Sequence, residues 1–217
     1  MQQRISKLVL KLMFLAVTLA IFGIFAACRG GAAAERDVFE RIQNALLSMT
    51  SYQADATVTY ISNRSQHTYH VRQMARSSGE YRIEVTGPER VAGNITINDN
   101  RNIVQFNTRA EGHYAVLNQE SPERLELFVT SFIRNYLQSQ EVTVSVASID
   151  NSLVTVLEAN IPGEHPYMRT SRLSVSNESL KPVRLEIFDA DGALRVSVEF
   201  SNFEYNVNFD DRLFRVQ

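Results

Sequence analysis

The chain has 217 residues, of which 44% are hydrophobic and 21% charged, and its formal net charge is −2. This balance is typical of a globular protein of one domain or two small ones, and it excludes a disordered or collagen-like chain. Residues 1–27 hold Arg4, Lys7 and Lys11 but none of the 24 acidic residues, so residues 28–217 have a more negative net charge than the whole chain. This charge argues against a nucleic-acid partner, because phosphate binding needs a basic face.

The first 27 residues have the pattern of an export signal. Three basic residues precede an apolar run over residues 12–27, and the run ends on two alanines. Its sixteen residues are fewer than the about 20 that a transmembrane helix needs. A basic start, a short apolar stretch and small residues at its end predict a secretory signal peptide over residues 1–27.

Cys28, the only cysteine, follows this run directly. The stretch "FAAC" (25–28) resembles the lipobox of bacterial lipoproteins, with Phe25 in place of the usual Leu. The resemblance implies that the signal is cut before Cys28, that the cysteine sulfur carries a diacylglycerol with palmitate-type chains, and that residues 28–34 form a flexible tether. Because two acyl chains make a stable anchor, we expect the protein on the extracytoplasmic face of the cell membrane.

Two other interpretations of this segment stay open. The apolar run could remain as an uncleaved membrane anchor. Alternatively, ordinary signal cleavage after "AAA" (32–34) would discard Cys28.

A first helix is predicted from Glu35 to Met49, where Val38, Ile42 and Ala45 also recur at helical spacing. Strands follow it, with alternating apolar residues and turn residues at their ends. The six predicted strands of this half span residues 52–62, 67–75, 80–86, 93–98, 102–107 and 113–117.

The clearest helical period in the chain lies at residues 121–138, where Ser121 suits the N-cap and Pro122 the first helical position. The aromatic stripe on this helix has two interpretations, which are plain core packing or the lining of a cavity for an acyl chain. The apolar positions are Leu125, Phe128, Val129, Phe132, Ile133, Tyr136 and Leu137, of which Phe128, Phe132 and Tyr136 form the stripe, and the opposite side carries Glu126, Arg134 and Gln138.

Short strands with one polar face and two amphipathic helices predict an α+β fold that is mainly antiparallel β. Because a large sheet curls to bury its apolar face, we expect a half-open barrel of about eleven strands with both helices on its concave side. No linker interrupts residues 35–217, which predicts a single domain. The remaining five strands are predicted over residues 141–149, 152–159, 170–176, 182–188 and 193–203.

No pattern in the chain indicates catalysis, a cofactor or a metal. The sequence has no G-x-S-x-G elbow, no P-loop and no H-E-x-x-H motif. His67 and His70 are three apart in a predicted strand, so they point to opposite faces and cannot bind one metal. Asp189 and Asp191 resemble the start of a calcium loop, but Phe200 stands where its last Glu would be. We therefore predict a protein that is not an enzyme.

The order of elements resembles the LolA/LolB superfamily of half-open antiparallel barrels with helical lids. The shared order is a lipobox, a first helix, a strand meander, an inserted helix and a second meander. The tail "FSNFEYNVNFDDRLFRV" (200–216) is also similar to the closing strand of the superfamily. The resemblance implies a protein that binds a lipid acyl chain or a lipoprotein. A lipid anchor at Cys28 suits a tethered receptor better than a soluble carrier.

Two stretches, at residues 51–73 and 121–141, resemble the GerS family of germination lipoproteins more specifically. This resemblance implies a non-catalytic partner of a cell-wall N-acetylmuramoyl-L-alanine amidase of the CwlD type, acting in spore-cortex modification and germination. Since a half-open barrel leaves strand edges exposed, a partner strand or a second copy could pair there, and a homodimer is a further expectation.

Overall fold

The computed structural model describes residues 35–109, 114–117, 126–163 and 165–215, with the side chains of residues 114–117 left aside. Cys28, the predicted signal peptide and the predicted tether lie outside the described residues. The chain divides into two compact units, Met1–Arg41 and Ile42–Gln217, and the sheet described below belongs to the second.

Helix α1 is described over residues 35–47, close to the predicted span. Its apolar spacing places Ile42 and Leu46 on one face, and both side chains are buried, as is Met49 just beyond the helix. Burial of this stripe stabilises the helix more than intrinsic propensity does.

The described residues of the second unit form one sheet of eleven antiparallel strands, each within a few residues of its predicted position. Alternating apolar residues put one side of every central strand into the core, which is why the sequence pattern predicts them well. The strands are β1 (Ser51–Ile61), β2 (Gln66–Arg76), β3 (Tyr81–Gly87), β4 (Asn94–Asn98), β5 (Ile103–Asn107), β6 (Tyr114–Leu117), β7 (Val142–Ile149), β8 (Ser152–Asn160), β9 (Thr170–Ser176), β10 (Pro182–Phe188) and β11 (Leu194–Tyr205).

The strand order is β6-β5-β4-β3-β2-β1-β11-β10-β9-β8-β7. The first and last strands of the chain, β1 and β11, are therefore neighbours at the centre of the sheet. The sheet is open, because its order begins at β6 and ends at β7. This arrangement confirms the predicted mainly antiparallel α+β fold of the LolA/LolB type.

Helix α2 (Val129–Gln138) lies against β8 and β9. The predicted start at Ser121 is wrong for the described part of that segment, because Phe128 has an extended backbone, with φ −106° and ψ 140°. Buried hydrogen bonds from β1 and β2 reach the backbone at Leu127 and Val129, and they hold this stretch outside the helix. Residues 121–125 lie outside the described chain.

The faces of α2 also differ from the prediction. Glu126, expected on the solvent side, is buried and accepts a hydrogen bond from Asn135. Leu137, expected on the buried face, is 63% exposed. A buried carboxylate needs a hydrogen-bond donor beside it, and Asn135 supplies that donor from an inward position of α2. The buried apolar side chains of α2 are therefore Val129 and Phe132.

The C-terminal tail leaves the sheet after Tyr205 and ends in a short 3₁₀ helix, Asp211–Phe214. Phe209 and Phe214 pack with Met74 of β2 in a small apolar cluster. The guanidinium of Arg76 lies 4.6 Å from the centre of the Phe214 ring, and Arg76 also donates to the Phe209 carbonyl oxygen at 3.0 Å. These contacts fasten the tail to the back of β2.

Candidate functional site

A cavity of about 390 Å³ lies on the buried face of the first half of the sheet. We call it the inner cavity. Its volume is within the range of small-molecule pockets. The apolar part of its lining is Val58, Val71, Ile83, Val85, Leu127 and Phe128, and polar groups come from His67, Asn94, Thr96 and Gln105.

Strand register explains why these side chains meet. Residues directly opposite each other in an antiparallel pair share a face of the sheet. Ala56 of β1 lies opposite Val71 of β2, and Val71 lies opposite Val85 of β3. One row of small and branched side chains therefore crosses three strands, and it leaves room between the sheet and the segment that carries Phe128.

A buried hydrogen-bond network holds that segment over the sheet. The hydroxyl of Tyr52 donates to Oε1 of Gln73 at 2.8 Å and accepts from the amide of Val129 at 3.3 Å. Nε2 of Gln73 donates to the carbonyl oxygen of Leu127 at 3.2 Å. Burial raises the pKa of Tyr52 far above its usual value, against a smaller lowering effect of the Val129 amide, so the hydroxyl stays neutral and can donate.

Phe128 is placed by this network and by an aromatic contact. Its ring centre lies 4.5 Å from that of Tyr81, with the rings tilted by 32°. Both rings line the inner cavity. The extended backbone at Phe128 turns the ring towards the cavity, and a helical backbone at this position would not be compatible with the network.

The three predicted cavity residues have different environments. Phe128 lines the inner cavity. Phe132 is fully buried, and its ring stacks on Tyr136 at 5.9 Å between centres; neither of these two lines the inner cavity. Cys28 lies outside the described residues, and its lipidation stays a prediction.

The two histidines of β2 separate as their spacing predicts. His67 lines the inner cavity, whereas Nδ1 of His70 lies 3.3 Å from the hydroxyl of Thr57, on the other face. Within the described ranges, no group of three or more His, Cys, Asp or Glu side chains could hold a metal ion. The turn at Asp189 is the predicted hairpin turn, with Gly192 at φ 77°.

Tyr52 and Gln73 were not predicted as site residues. Gln73 is a fully buried polar side chain whose nearest inward neighbours in β2, Val71 and Ala75, are apolar. A lone Gln at an inward position of an alternating strand is the signal that could have found it, because a buried amide needs partners.

Edge strand β7 carries a second unusual feature. Val142, Val144 and Val146 lie opposite Ala159, Leu157 and Thr155 of β8, which are all buried. The three valines therefore share the core face of the sheet, yet each is more than 40% exposed, and Leu153 on the same face is 61% exposed. We call these four side chains the β7 patch.

No helix within the described residues has the length and apolar character needed to cross a membrane.

An open antiparallel sheet with a hollow on its buried face, lined also by Leu127 and Phe128 just before an inserted helix, defines a protein of LolA-like fold. Residues 7–214 match the model of the YdcC-like sporulation proteins, and the chain belongs to this family.

Comparisons with individual proteins agree with this assignment. Sporulation protein YdcC of Bacillus subtilis (strain 168) is 21% identical over 192 residues, which cover 88% of this chain and 55% of that protein. The chain thus spans about half the length of this relative.

The chain is also similar to two solved structures. The complex of the CwlD amidase with the GerS lipoprotein from Clostridioides difficile is matched at 27% identity and a TM-score of 0.49, over 79% of this chain and 95% of that chain. A LolA superfamily protein from Nitrosomonas europaea is matched at 13% identity and a TM-score of 0.45, over 83% and 97% of the two chains. The family model confirms the sporulation family that the resemblance to GerS implied.

Proposed function

We propose that this protein is a lipid-anchored, non-catalytic binding protein that holds a cell-wall amidase of the CwlD type and supports spore-cortex modification and germination. Its setting would be the extracytoplasmic face of a membrane in the sporulating cell, including the forespore membranes. Membership of the sporulation family supports this setting. The GerS-like stretches at residues 51–73 and 121–141 support the amidase as partner.

The observation that carries this proposal is the β7 patch. Strand β7 ends the sheet order, so its outer backbone groups face away from β8 and have no strand partner among the described residues. An edge strand with exposed apolar side chains is a template for an added strand. The amidase would pair with this edge and cover Val142, Val144 and Val146.

A pull-down from sporulating cells tests this surface. Tagged full-length protein is solubilised from membranes, and the retained cortex amidase is measured. Val144→Glu places a charge in the patch, whereas Thr143→Glu places the same charge one residue away on the opposite face of the same strand. We expect Val144→Glu to weaken amidase binding about tenfold or more and Thr143→Glu to leave it nearly unchanged.

The result can also contradict the proposal. No amidase retained by the wild-type protein, or equal loss in both variants, would exclude the β7 patch as the amidase-binding surface. If light scattering instead finds a dimer that Val144→Glu dissociates, and no amidase is bound, the edge serves a second copy of the chain.

The inner cavity favours a second candidate function, which is binding of an acyl chain or the lipid part of a lipoprotein. Its lining is apolar at Val58, Val71 and Val85 of the sheet and at Leu127 and Phe128, while polar groups come from β2, β4 and β5. Such a lining suits a hydrocarbon chain, since each buried CH₂ contributes about 0.8 kcal/mol.

Native mass spectrometry of the full-length protein tests this candidate. A spectrum under denaturing conditions identifies covalently bound lipid, so that a mass lost on denaturation belongs to a ligand in the cavity. Val85→Trp would fill the cavity and abolish the bound mass, while Thr86→Trp adds the same bulk at the exposed neighbouring position. Retention of the ligand by Val85→Trp would show that it binds elsewhere.

A further inference from the structure

A second hollow, of about 450 Å³, lies at one end of β1 and β2. We call it the rim cleft. It is formed by the β1–β2 hairpin, the segment before β9 and the start of β11. The side chains that matter here are Tyr60, Arg64, His67, His165, Tyr167 and Arg195.

Arg195 is held rigidly at the base of the cleft. Its Nε donates to the buried Asp189 at 2.6 Å, and Nη2 lies 2.5 Å from the same carboxylate oxygen. Nη1 donates to Oδ1 of Asn63 in the β1–β2 hairpin at 2.7 Å. A guanidinium has five N–H groups, so these contacts leave two for a ligand.

Asp189 is itself fixed by the hairpin turn. Its carboxylate accepts from the amides of Asp191 at 3.0 Å and Ala193 at 2.8 Å. The turn therefore fixes the carboxylate that binds Arg195, which explains why the acidic residue Asp189 is buried there. Because Asp189 and Asn63 both hold the guanidinium of Arg195, this side chain loses little conformational entropy when a ligand binds.

The described residues that line the rim cleft, with Asp189 behind them, have an excess of one positive charge. Asp189 neutralises Arg195, and no carboxylate is present among the described residues that line the cleft. Arg64 is exposed and forms no ion pair within the described part of the chain. One uncompensated guanidinium matches a monoanion such as a carboxylate better than a phosphate monoester, which carries about −1.5 to −2.

The cleft also offers aromatic faces. Tyr167 is 59% exposed, its ring centre lies 6.0 Å from that of His165, and the Arg195 guanidinium lies 5.9 Å from the Tyr167 ring centre. A flat, exposed ring next to fixed hydrogen-bond donors can support the apolar face of a ring-shaped polar ligand.

We propose that the rim cleft binds a carboxylate-bearing sugar, with Tyr167 against the sugar ring and the guanidinium groups of Arg64 and Arg195 on the carboxylate. Bonds from a guanidinium to a carboxylate are charge-assisted and stronger than neutral ones. The hydroxyls of Ser62 and Ser65 lie 2.9 Å apart and hydrogen-bond within the β1–β2 hairpin, which fixes the turn that carries Arg64. This site is separate from the β7 patch, and its test does not depend on the amidase.

Saturation-transfer NMR on the full-length protein tests the site with two matched probes. N-acetylmuramic acid carries a carboxylate on a lactyl ether, and N-acetylglucosamine is the same amino sugar without that lactyl group. We expect saturation transfer to the first probe and at least tenfold weaker binding of the second. Equal binding of the two sugars would overturn the proposal, and tighter binding of N-acetylglucosamine 6-phosphate would make the cleft a phosphate site instead.

Three variants locate the binding. Arg64→Ala is expected to weaken N-acetylmuramic acid about tenfold, and Arg64→Lys to recover part of the loss because the charge is kept. Tyr167→Ala should weaken it about threefold or more. Arg90→Ala removes an exposed arginine outside the cleft and should change nothing; unchanged binding in Arg64→Ala and Tyr167→Ala would exclude the rim cleft.

Discussion

The side-chain amide of Asn135 donates a 2.7 Å hydrogen bond to Oε2 of Glu126, and both side chains are buried. Burial raises the pKa of Glu126, while the nearby Arg134 charge and the Asn135 bond oppose the change. This pair connects Asn135, in the second half of α2, to the segment that carries Phe128, so the protonation of one carboxyl affects the stability of the cavity wall.

The first prediction concerns the pH dependence of stability. Because the folded pKa of Glu126 lies above its unfolded value, the folded state binds the proton more tightly. The contribution of Glu126 to the free energy of unfolding is then most stabilising below the unfolded-state pKa, and it decreases as the pH rises through the folded-state pKa. Glu126→Gln keeps an acceptor for Asn135 and removes the charge, so its melting temperature should exceed that of wild type at pH 8 by more than at pH 4.

Circular dichroism melting curves from pH 4 to pH 8 measure this difference. Glu204→Gln removes an exposed carboxylate of β11 and serves as the control, with the same small change at both ends of the range. If the melting temperatures of Glu126→Gln and wild type come closer together as the pH rises, the raised pKa assigned to Glu126 would be contradicted.

The second prediction concerns the buried network. Tyr52→Phe removes the hydroxyl that serves Gln73 and Val129 and leaves both without that partner in the core. The free energy of unfolding should fall by about 1–3 kcal/mol, measured by urea denaturation. Tyr69→Phe, on half-buried Tyr69 of β2, should change it by less than about 0.5 kcal/mol. Equal effects would show that the network contributes no specific stability.

The third prediction compares two faces of α2. Phe132 is fully buried, and Leu137 lies five residues further along on the exposed side. Phe132→Ala should destabilise the protein by about 3–5 kcal/mol, because it leaves a cavity in the core. Leu137→Ala should cost less than about 0.5 kcal/mol. Chemical denaturation of both variants measures this, and a loss for Leu137→Ala as large as that for Phe132→Ala would support the helix face predicted from sequence.

The fourth prediction concerns Cys28. Cys28→Ala removes the sulfur that the lipobox resemblance assigns to diacylglycerol. Metabolic labelling with palmitate in a sporulating host should label the wild-type protein and not the variant, and the variant should leave the membrane fraction after signal cleavage. A labelled Cys28→Ala protein, or one that stays with the membrane after cleavage, would show that another segment provides the anchor.

The strands could be predicted from sequence because their signal is local. Alternation of apolar and polar residues over a few positions, with turn residues between, locates β1 or β8 without knowledge of the neighbours. The hairpin turn at Asp189 and the separation of His67 from His70 follow from the same local rules. Family resemblance then predicted the topology, because the order of elements is itself a pattern in the chain.

The start of α2 and the candidate sites depended on tertiary structure. Helical spacing continues through Glu126 and Phe128, yet Tyr52 and Gln73, more than fifty residues away in the chain, hold this stretch out of the helix. No local pattern contains that information, because buried hydrogen bonds from β1 and β2 to this distant segment outweigh its helix propensity. The exposure of Val144 has the same origin. Its alternation predicts a buried side, and only the position of β7 at the end of the sheet leaves that side uncovered.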